Sequence, residues 1–242
     1  MSTEARAADV RPIVGGLKRV AMAGTAGLLT GALVGGVGGR LAMLVLRLTS
    51  DPSVRGIESD DGFTIGVVSS ETMFLVMFTA VLGAVGGLGY LVIRAWLPSP
   101  RRPALFAALM GVVGGALIIH PDGVDFTLLG PRWLAIVLFV ALPAAYGLAV
   151  AFLIERWLRS ADDASTRWLL ALVPAVIPFV VLGPRGLPIL VLVLLASLAA
   201  DPRSIAARTV GSRPVVWLGR IGLATAGVAA TVALVTDVAE IL

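Results

Sequence analysis

Residues 119–140, IHPDGVDFTLLGPRWLAIVLFV, hold a polar turn between two apolar runs, and stretches similar to both halves occur elsewhere in the chain. The first half, DGVDFTLLG at 122–130, is similar to DGFTIG at 61–66. The second half, LGPRWLAI at 129–136, is similar to LGPRGLPI at 182–189. All of these stretches separate long apolar runs, which is typical of turns in a membrane protein built from helical hairpins. The pattern indicates a duplicated hairpin, with chance matches in a chain rich in Leu, Val and Gly as the alternative.

Composition assigns the chain to the membrane proteins. Of its 242 residues, 58% are hydrophobic and 14% are charged, and the mean hydropathy is +0.97. Several apolar runs approach the ~20 residues that a helix needs to cross a bilayer core. The prediction is an all-α, polytopic transmembrane helix bundle. Residues 1–17 form a cytoplasmic N-terminal segment, and 18–242 form a single transmembrane domain.

The residue inventory excludes several kinds of site. The chain has no Cys, which excludes disulfides, thiolate metal sites and cysteine nucleophiles. It also has no Asn or Gln, so Ser, Thr, Tyr and the backbone must supply the neutral polar contacts between helices. Its basic residues are 18 Arg and one Lys. These lie where membrane topology favours them, so we expect no nucleic-acid partner.

Seven spans are predicted, at 20–48, 67–96, 104–119, 132–158, 168–182, 187–200 and 215–235. The first contains Gly27, Gly31, Gly35 and Gly39 at intervals of four residues, which predicts a face that another helix can approach closely. The fifth and sixth are short and are separated by Gly-Pro-Arg-Gly at 183–186. They are either two short spans or a re-entrant pair, so six spans are the alternative.

The distribution of basic residues predicts an inside N-terminus and an outside C-terminus. With seven spans, fourteen of the 19 basic residues fall in cytoplasmic segments, namely Arg6, Arg11, Lys18, Arg19, Arg94, Arg101, Arg102, Arg156, Arg159, Arg167, Arg203, Arg208, Arg213 and Arg220. Each of the five Trp residues lies within a few residues of a predicted span end, as an aromatic belt requires. The expected location is the plasma membrane.

Acidic residues collect in the predicted outer loops and form a candidate site for a hard cation or a partner. Its residues are Asp60, Asp61, His120, Asp122 and Asp125. Carboxylate oxygens suit Ca²⁺ or Mg²⁺, but the spacing does not match an EF-hand loop, and the identity of any metal stays open. The alternative explanation is that Asp-Gly sequences make turns and that basic residues are kept on the other side.

Arg132 and Arg185 both follow Gly-Pro where a predicted helix begins. The positive end of a helix dipole beside a guanidinium favours anions, so these two residues are candidate contacts for a carboxylate or a lipid phosphate. Pairing with nearby acidic residues is the alternative.

Two hypotheses for function follow. In the first, which the sequence favours, the protein is a small-solute or ion permeation protein, because Pro-interrupted helices at 168–200 expose backbone groups that can bind solutes. In the second, it is a non-catalytic membrane subunit or sensor that binds a partner or cation through its acidic outer loops. We expect no enzyme and no cofactor, since no nucleophile, base and metal-ligand set is suitably placed. Expected partners are the lipid bilayer, other membrane proteins or a second copy of the chain.

Overall fold

The computed structural model describes residues 3–54, 56, 70–160, 183, 188, 191 and 205–242. Within these residues every regular element is helical. The long helices are α1 (Thr3–Thr30), α2 (Gly39–Thr49), α3 (Ser70–Ile93), α4 (Arg102–Ile118), α6 (Arg132–Arg159) and α8 (Arg213–Ile241). Short helices α5 (Val124–Thr127) and α7 (Ile205–Val210) complete the set, with single 3₁₀ turns at Pro52–Val54 and Ser99–Arg101. The prediction of an all-α protein is confirmed for this part of the chain.

The first helical rod is continuous from Thr3 to Thr49. A π-helical segment, Gly31–Gly38, joins α1 to α2, and the flanking Thr30 and Gly39 both have helical φ and ψ angles. The rod therefore begins inside the predicted N-terminal segment 1–17, whose cytoplasmic position stays a prediction.

Five helical stretches are long and apolar enough to cross a membrane, namely Gly15–Thr49, Thr72–Ile93, Ser99–Ile118, Arg132–Arg159 and Arg213–Ile241. They match five of the seven predicted spans. The other two, at 168–182 and 187–200, lie outside the described residues except for single positions. The total number of spans and the inside or outside position of each end stay predictions.

The last helix is longer than predicted. The sequence placed a tail at 236–242, but α8 continues to Ile241. Residues 236–241 contain neither Pro nor Gly, so nothing in that stretch interrupts the helix.

The first rod, α3, α4, α6 and α8 alternate in direction along the chain, and most of their charged residues lie at the two ends of the bundle. One end, here called the basic end, holds Lys18, Arg19, Arg94, Arg101, Arg102, Glu155, Arg156, Arg159, Arg213 and Arg220. The opposite end holds Arg47, Asp51, His120, Asp122, Asp125, Arg132, Asp237 and Glu240. A buried apolar cluster lies below each end, one around Tyr90, Phe106 and Ile154 and the other around Leu46, Phe126 and Leu129.

Candidate functional site

Three of the four predicted packing glycines lie against α3. A Cβ atom at Gly27 would meet the carbonyl oxygen of Gly83, and one at Gly31 would meet the carbonyl oxygen of Thr79. At Gly35 a Cβ atom would come within 2.9 Å of the Thr79 Cβ. The contact is reciprocal, because a Cβ atom at Gly83 would meet the carbonyl oxygen of Gly27. The backbones of α1 and α3 therefore touch, which only glycine permits at these positions.

Gly39 does not belong to this face. A Cβ atom added there would meet no atom of the described chain within 4 Å. Gly36, which the sequence pattern did not select, packs instead, since its Cβ atom would lie 2.9 Å from the Val76 Cα. The cause is the π-helical segment, whose hydrogen bonds span one more residue than those of an α-helix, so the packed positions Gly31 and Gly36 are five apart.

The hydroxyl groups in the middle of the bundle bond to backbone. Thr30 donates to the carbonyl oxygens of Ala26 and Gly27, at 2.7 and 3.2 Å, and Thr79 donates to Leu75 O at 2.8 Å. Tyr146 donates to Gly83 O on the neighbouring helix at 2.6 Å. These hydroxyls are satisfied within the protein, as an apolar environment requires.

Glu155 is the centre of an ionic network at the basic end. The Arg94 guanidinium donates to both carboxylate oxygens, from Nε to Oε1 at 3.0 Å and from Nη2 to Oε2 at 3.1 Å. The Tyr90 hydroxyl donates to Oε1 at 3.0 Å, and Arg102 Nη1 lies 3.6 Å from the same oxygen. The charged side chains are partly buried. The network joins the ends of α3 and α6 to the start of α4.

Sequence reasoning missed this network. One signal was present, because Glu155 is an acidic residue in a segment otherwise rich in Arg, and such a residue needs a basic partner close by. Its pairing with Arg94, which is distant in sequence, could be found only from the packing of α3 against α6.

The turn between α3 and α4 also holds the last helix. Arg220 of α8 donates from Nε to the carbonyl oxygen of Trp96 at 3.0 Å. The Trp96 indole packs directly on Gly219, where a side chain would clash with the ring. Arg102 Nε donates to the next carbonyl oxygen along the chain, Leu97 O, at 3.2 Å. Two arginines from different helices therefore bind successive carbonyl groups of one turn.

The acidic residues predicted to converge at the opposite end differ in their exposure to solvent. His120 and Asp122 are exposed on the turn after α4, whereas Asp125 is buried within α5. Asp60 and Asp61 lie outside the described residues. Among the residues that the structure describes, no group of three or more His, Asp or Glu side chains could hold a metal ion. Asp122 and Asp125 therefore differ in environment and do not present one carboxylate surface.

Arg132 lies at the start of α6, as predicted, and its side chain donates a hydrogen bond to a backbone carbonyl. Its Nη1 donates to Ile241 O at 2.9 Å. A cation is favourable at the C-terminal end of a helix, so Arg132 stabilises the end of α8. Arg185, the other candidate anion contact, lies outside the described residues.

The turn before α6 is attached to the end of α2. Ser50 Oγ accepts a hydrogen bond from Gly130 N at 2.9 Å, and Thr49 Oγ1 donates to Gly130 O at 3.0 Å. Next to this contact, the backbone N–H of Ser53 donates to Asp51 and holds the pKa of that carboxyl below its ordinary value. The Gly-Pro part of the stretch at 119–140 thus anchors the first rod to α6.

The chain matches no model of a protein family, no curated protein and no solved structure.

Proposed function

We propose that the chain is a non-catalytic subunit or sensor of the plasma membrane that binds a partner through its polar ends. The observation that supports this proposal is the packing of the middle of the bundle. There α1 and the π-helical segment contact α3 through glycine backbone, and the hydroxyls of Thr30, Thr79 and Tyr146 bond to backbone carbonyls.

This packing favours a structural or binding role over permeation. A solute path needs polar groups that face an opening and are free to replace the solute's hydration shell. At mid-bundle, a Cβ atom at Gly111 would lie 3.0 Å from Ala144 Cβ, so α4 and α6 are also in close contact. The polar side chains concentrate at the two ends, where partners outside the hydrocarbon core are reached.

The turn of residues 119–131 is the preferred contact for a partner at the opposite end. His120 and Asp122 are exposed there, in a turn closed by a hydrogen bond from Gly123 N to His120 O at 3.1 Å, and Ser50 and Thr49 bond to Gly130 at the end of the same stretch. A fixed backbone with exposed polar side chains lowers the entropy cost of binding. A protein partner is favoured over a cation, because the described acidic residues form no metal-binding group.

Small-solute or ion permeation is the second candidate. It is favoured by one observation, the φ angle of +52° at Gly183, which lies in the left-handed region that a right-handed helix does not contain. This angle fits the break predicted between the fifth and sixth spans, and broken helices are common at transport sites.

Solute flux into vesicles separates the two candidates. Purified protein is reconstituted in liposomes, and swelling in glycerol and uptake of K⁺, Cl⁻ and H⁺ are recorded against protein-free liposomes. We expect equal rates in both preparations. Faster flux that is lost when Gly183 is replaced by Leu would establish permeation and overturn the proposal.

The partner is tested by photo-crosslinking in intact cells. A photoreactive residue is placed at Asp122 and, as a matched control, at Val228, an exposed apolar position on α8. We expect a discrete protein adduct at position 122 and only lipid adducts at position 228. If soluble reagents reach position 122 but no protein adduct forms there, partner binding at this turn is contradicted.

A further inference from the structure

The turn between α3 and α4 gathers more positive charge than its one carboxylate neutralises. Arg94 binds both oxygens of Glu155, and Arg102 lies 3.6 Å from one of them. Arg220 reaches the same turn through Trp96 O at 3.0 Å. Two guanidinium groups therefore face the one carboxylate and a third bonds to the same turn, so the local charge is positive.

Two of these guanidiniums keep donors for a ligand. Arg102 and Arg220 each use Nε for a backbone carbonyl of the turn, at 3.2 and 3.0 Å. Within the described residues, neither terminal nitrogen of Arg220 has a hydrogen-bond partner, and of the terminal nitrogens of Arg102 only Nη1 has one nearby, Glu155 Oε1 at 3.6 Å. A guanidinium held through Nε presents its two terminal amino groups as a pair, the geometry that binds phosphate oxygens.

Two Trp residues indicate that Arg102 and Arg220 lie at the depth of lipid headgroups. Trp96 lies in the turn itself, and Trp217, which is 62% exposed, lies one helical turn before Arg220. The Arg220 guanidinium carbon is 5.9 Å from the centre of the Trp217 ring. Exposed Trp residues concentrate at membrane interfaces, where the indole contacts both acyl chains and headgroups.

An apolar path leads from Arg220 along α8. Trp217, Ile221, Ala224 and Val228 follow one another at the spacing of a single helix face and are all exposed. A lipid whose phosphate lies at Arg220 would extend its acyl chains along this face. A soluble phosphate compound would use only the guanidinium groups.

We propose that the phosphate of an anionic phospholipid binds between Arg102 and Arg220 at the turn joining α3 to α4, with its acyl chains along Trp217, Ile221 and Val228. The site is independent of the partner proposed at the opposite end. Its function is to join α4 and α8 through a bound lipid at the basic end, where the surrounding exposed arginines attract anionic headgroups.

Thermal unfolding in dodecyl maltoside micelles tests the site. Phosphatidylglycerol, phosphatidylcholine or inorganic phosphate is titrated into the purified full chain, and the apparent affinity is taken from the concentration dependence of Tm. We expect phosphatidylglycerol to raise Tm more than phosphatidylcholine at equal mole fraction. Inorganic phosphate alone should give no shift. A shift with inorganic phosphate that phosphatidylglycerol does not exceed overturns the lipid assignment.

Three variants locate the effect. R102Q and R220Q each remove one guanidinium of the site, and R213Q removes an exposed arginine from the same end of α8. We expect R102Q and R220Q to weaken the apparent affinity for phosphatidylglycerol by about tenfold, the loss of one charge-assisted contact. R213Q should retain it. Equal weakening in all three variants would indicate diffuse attraction and contradict a specific site.

A folding defect is distinguishable from loss of the site. If R220Q only loosens α8, its Tm falls by the same amount in both lipids and in lipid-free micelles. The variant R220K keeps the charge but lacks the paired amino groups, so we expect an affinity between those of the native protein and R220Q. An affinity for R220K equal to that of the native protein would show that charge alone suffices and overturn the geometric assignment.

Discussion

Tyr146 shows how a single polar group is accommodated in the middle of this bundle. Its hydroxyl donates to Gly83 O at 2.6 Å, and the same carbonyl lies against Gly27 of α1. One residue of α3 therefore contacts two other helices. Because α1 lies close to the Gly83 carbonyl, little room remains around it. The Tyr146 hydroxyl is its hydrogen-bond donor from another helix.

We expect Y146F to destabilise the bundle by about 0.5–1.5 kcal/mol, because the ring still packs while one hydrogen bond between α6 and α3 is lost. The measurement is the midpoint of SDS-induced unfolding in mixed micelles. T231V is the matched control, since the Thr231 hydroxyl bonds within its own helix at an exposed position. A cost for T231V equal to that of Y146F would mean that the interhelical bond contributes nothing specific.

A variant of Glu155 tests how much its ionic network contributes to stability. Replacement by Gln leaves Arg94 and Arg102 without a carboxylate, and we expect a loss of about 1–3 kcal/mol in the free energy of unfolding, moderated by the partial exposure of the group. E240Q is the control, because Glu240 is exposed and no described ion pair includes it. Unchanged stability of E155Q would show that the carboxylate charge at the centre of this four-residue network is energetically neutral.

The contact between α1 and α3 sets the arrangement of the helices. The spacing of Gly27, Gly31, Gly35 and Gly39 predicted a face that another helix can approach closely, but not that this helix is α3. The error of this prediction at Gly39 has a definite cause. The prediction assumed one helical period throughout, whereas the π-helical segment changes the period and brings Gly36 to the interface. Local sequence does not reveal this change, because it arises from how the rod meets α3.

We expect G27A to destabilise the bundle by about 1–3 kcal/mol, since the added methyl group meets the backbone of Gly83 and neither helix can yield without separating. G39A is the matched control in the same rod. Its methyl group meets open space, and Ala favours helix over Gly by about 1 kcal/mol, so stability should be unchanged or higher. Comparable losses in both variants would place Gly27 and Gly39 on the same packed face.

Across the whole molecule, α8 is held at both of its ends. Arg220 bonds to the turn after α3, and Arg132 bonds to Ile241 at the far end, while Leu234 packs near Gly115 of α4 between them. These contacts bring α6 and α8 into fixed register, and the chain leaves α6 and enters α8 at the same end of the bundle.

Hydropathy and charge predicted the helical class and the five long helices, because burial in lipid constrains composition strongly. They could not predict pairs such as Arg94 with Glu155 or Arg132 with Ile241. Such contacts depend on which helices become neighbours, and single residues carry no signal of that choice. The candidate set of acidic residues illustrates the same limit, since Asp125 is buried and Asp122 is exposed although they are three positions apart.

The predicted orientation is tested with single cysteines, since the native chain has none. R101C and D122C are introduced at exposed positions on the two ends and treated with a membrane-impermeant maleimide. We expect D122C to react in intact cells and R101C only after permeabilisation. The native chain is the unlabelled control. Reaction of both positions from one side would contradict the described path of α4.

Trp133 and Trp157 occupy the two ends of one helix, α6, and are separated along its axis by about 36 Å at ~1.5 Å per residue. We expect the two indoles to lie near the two interfaces of the bilayer, on a single element whose length cannot change without unfolding. A membrane much thinner or thicker than this spacing must deform around the protein or tilt it, at a cost that grows with the mismatch. The length of α6 therefore determines which bilayer thickness the protein fits at the lowest energetic cost.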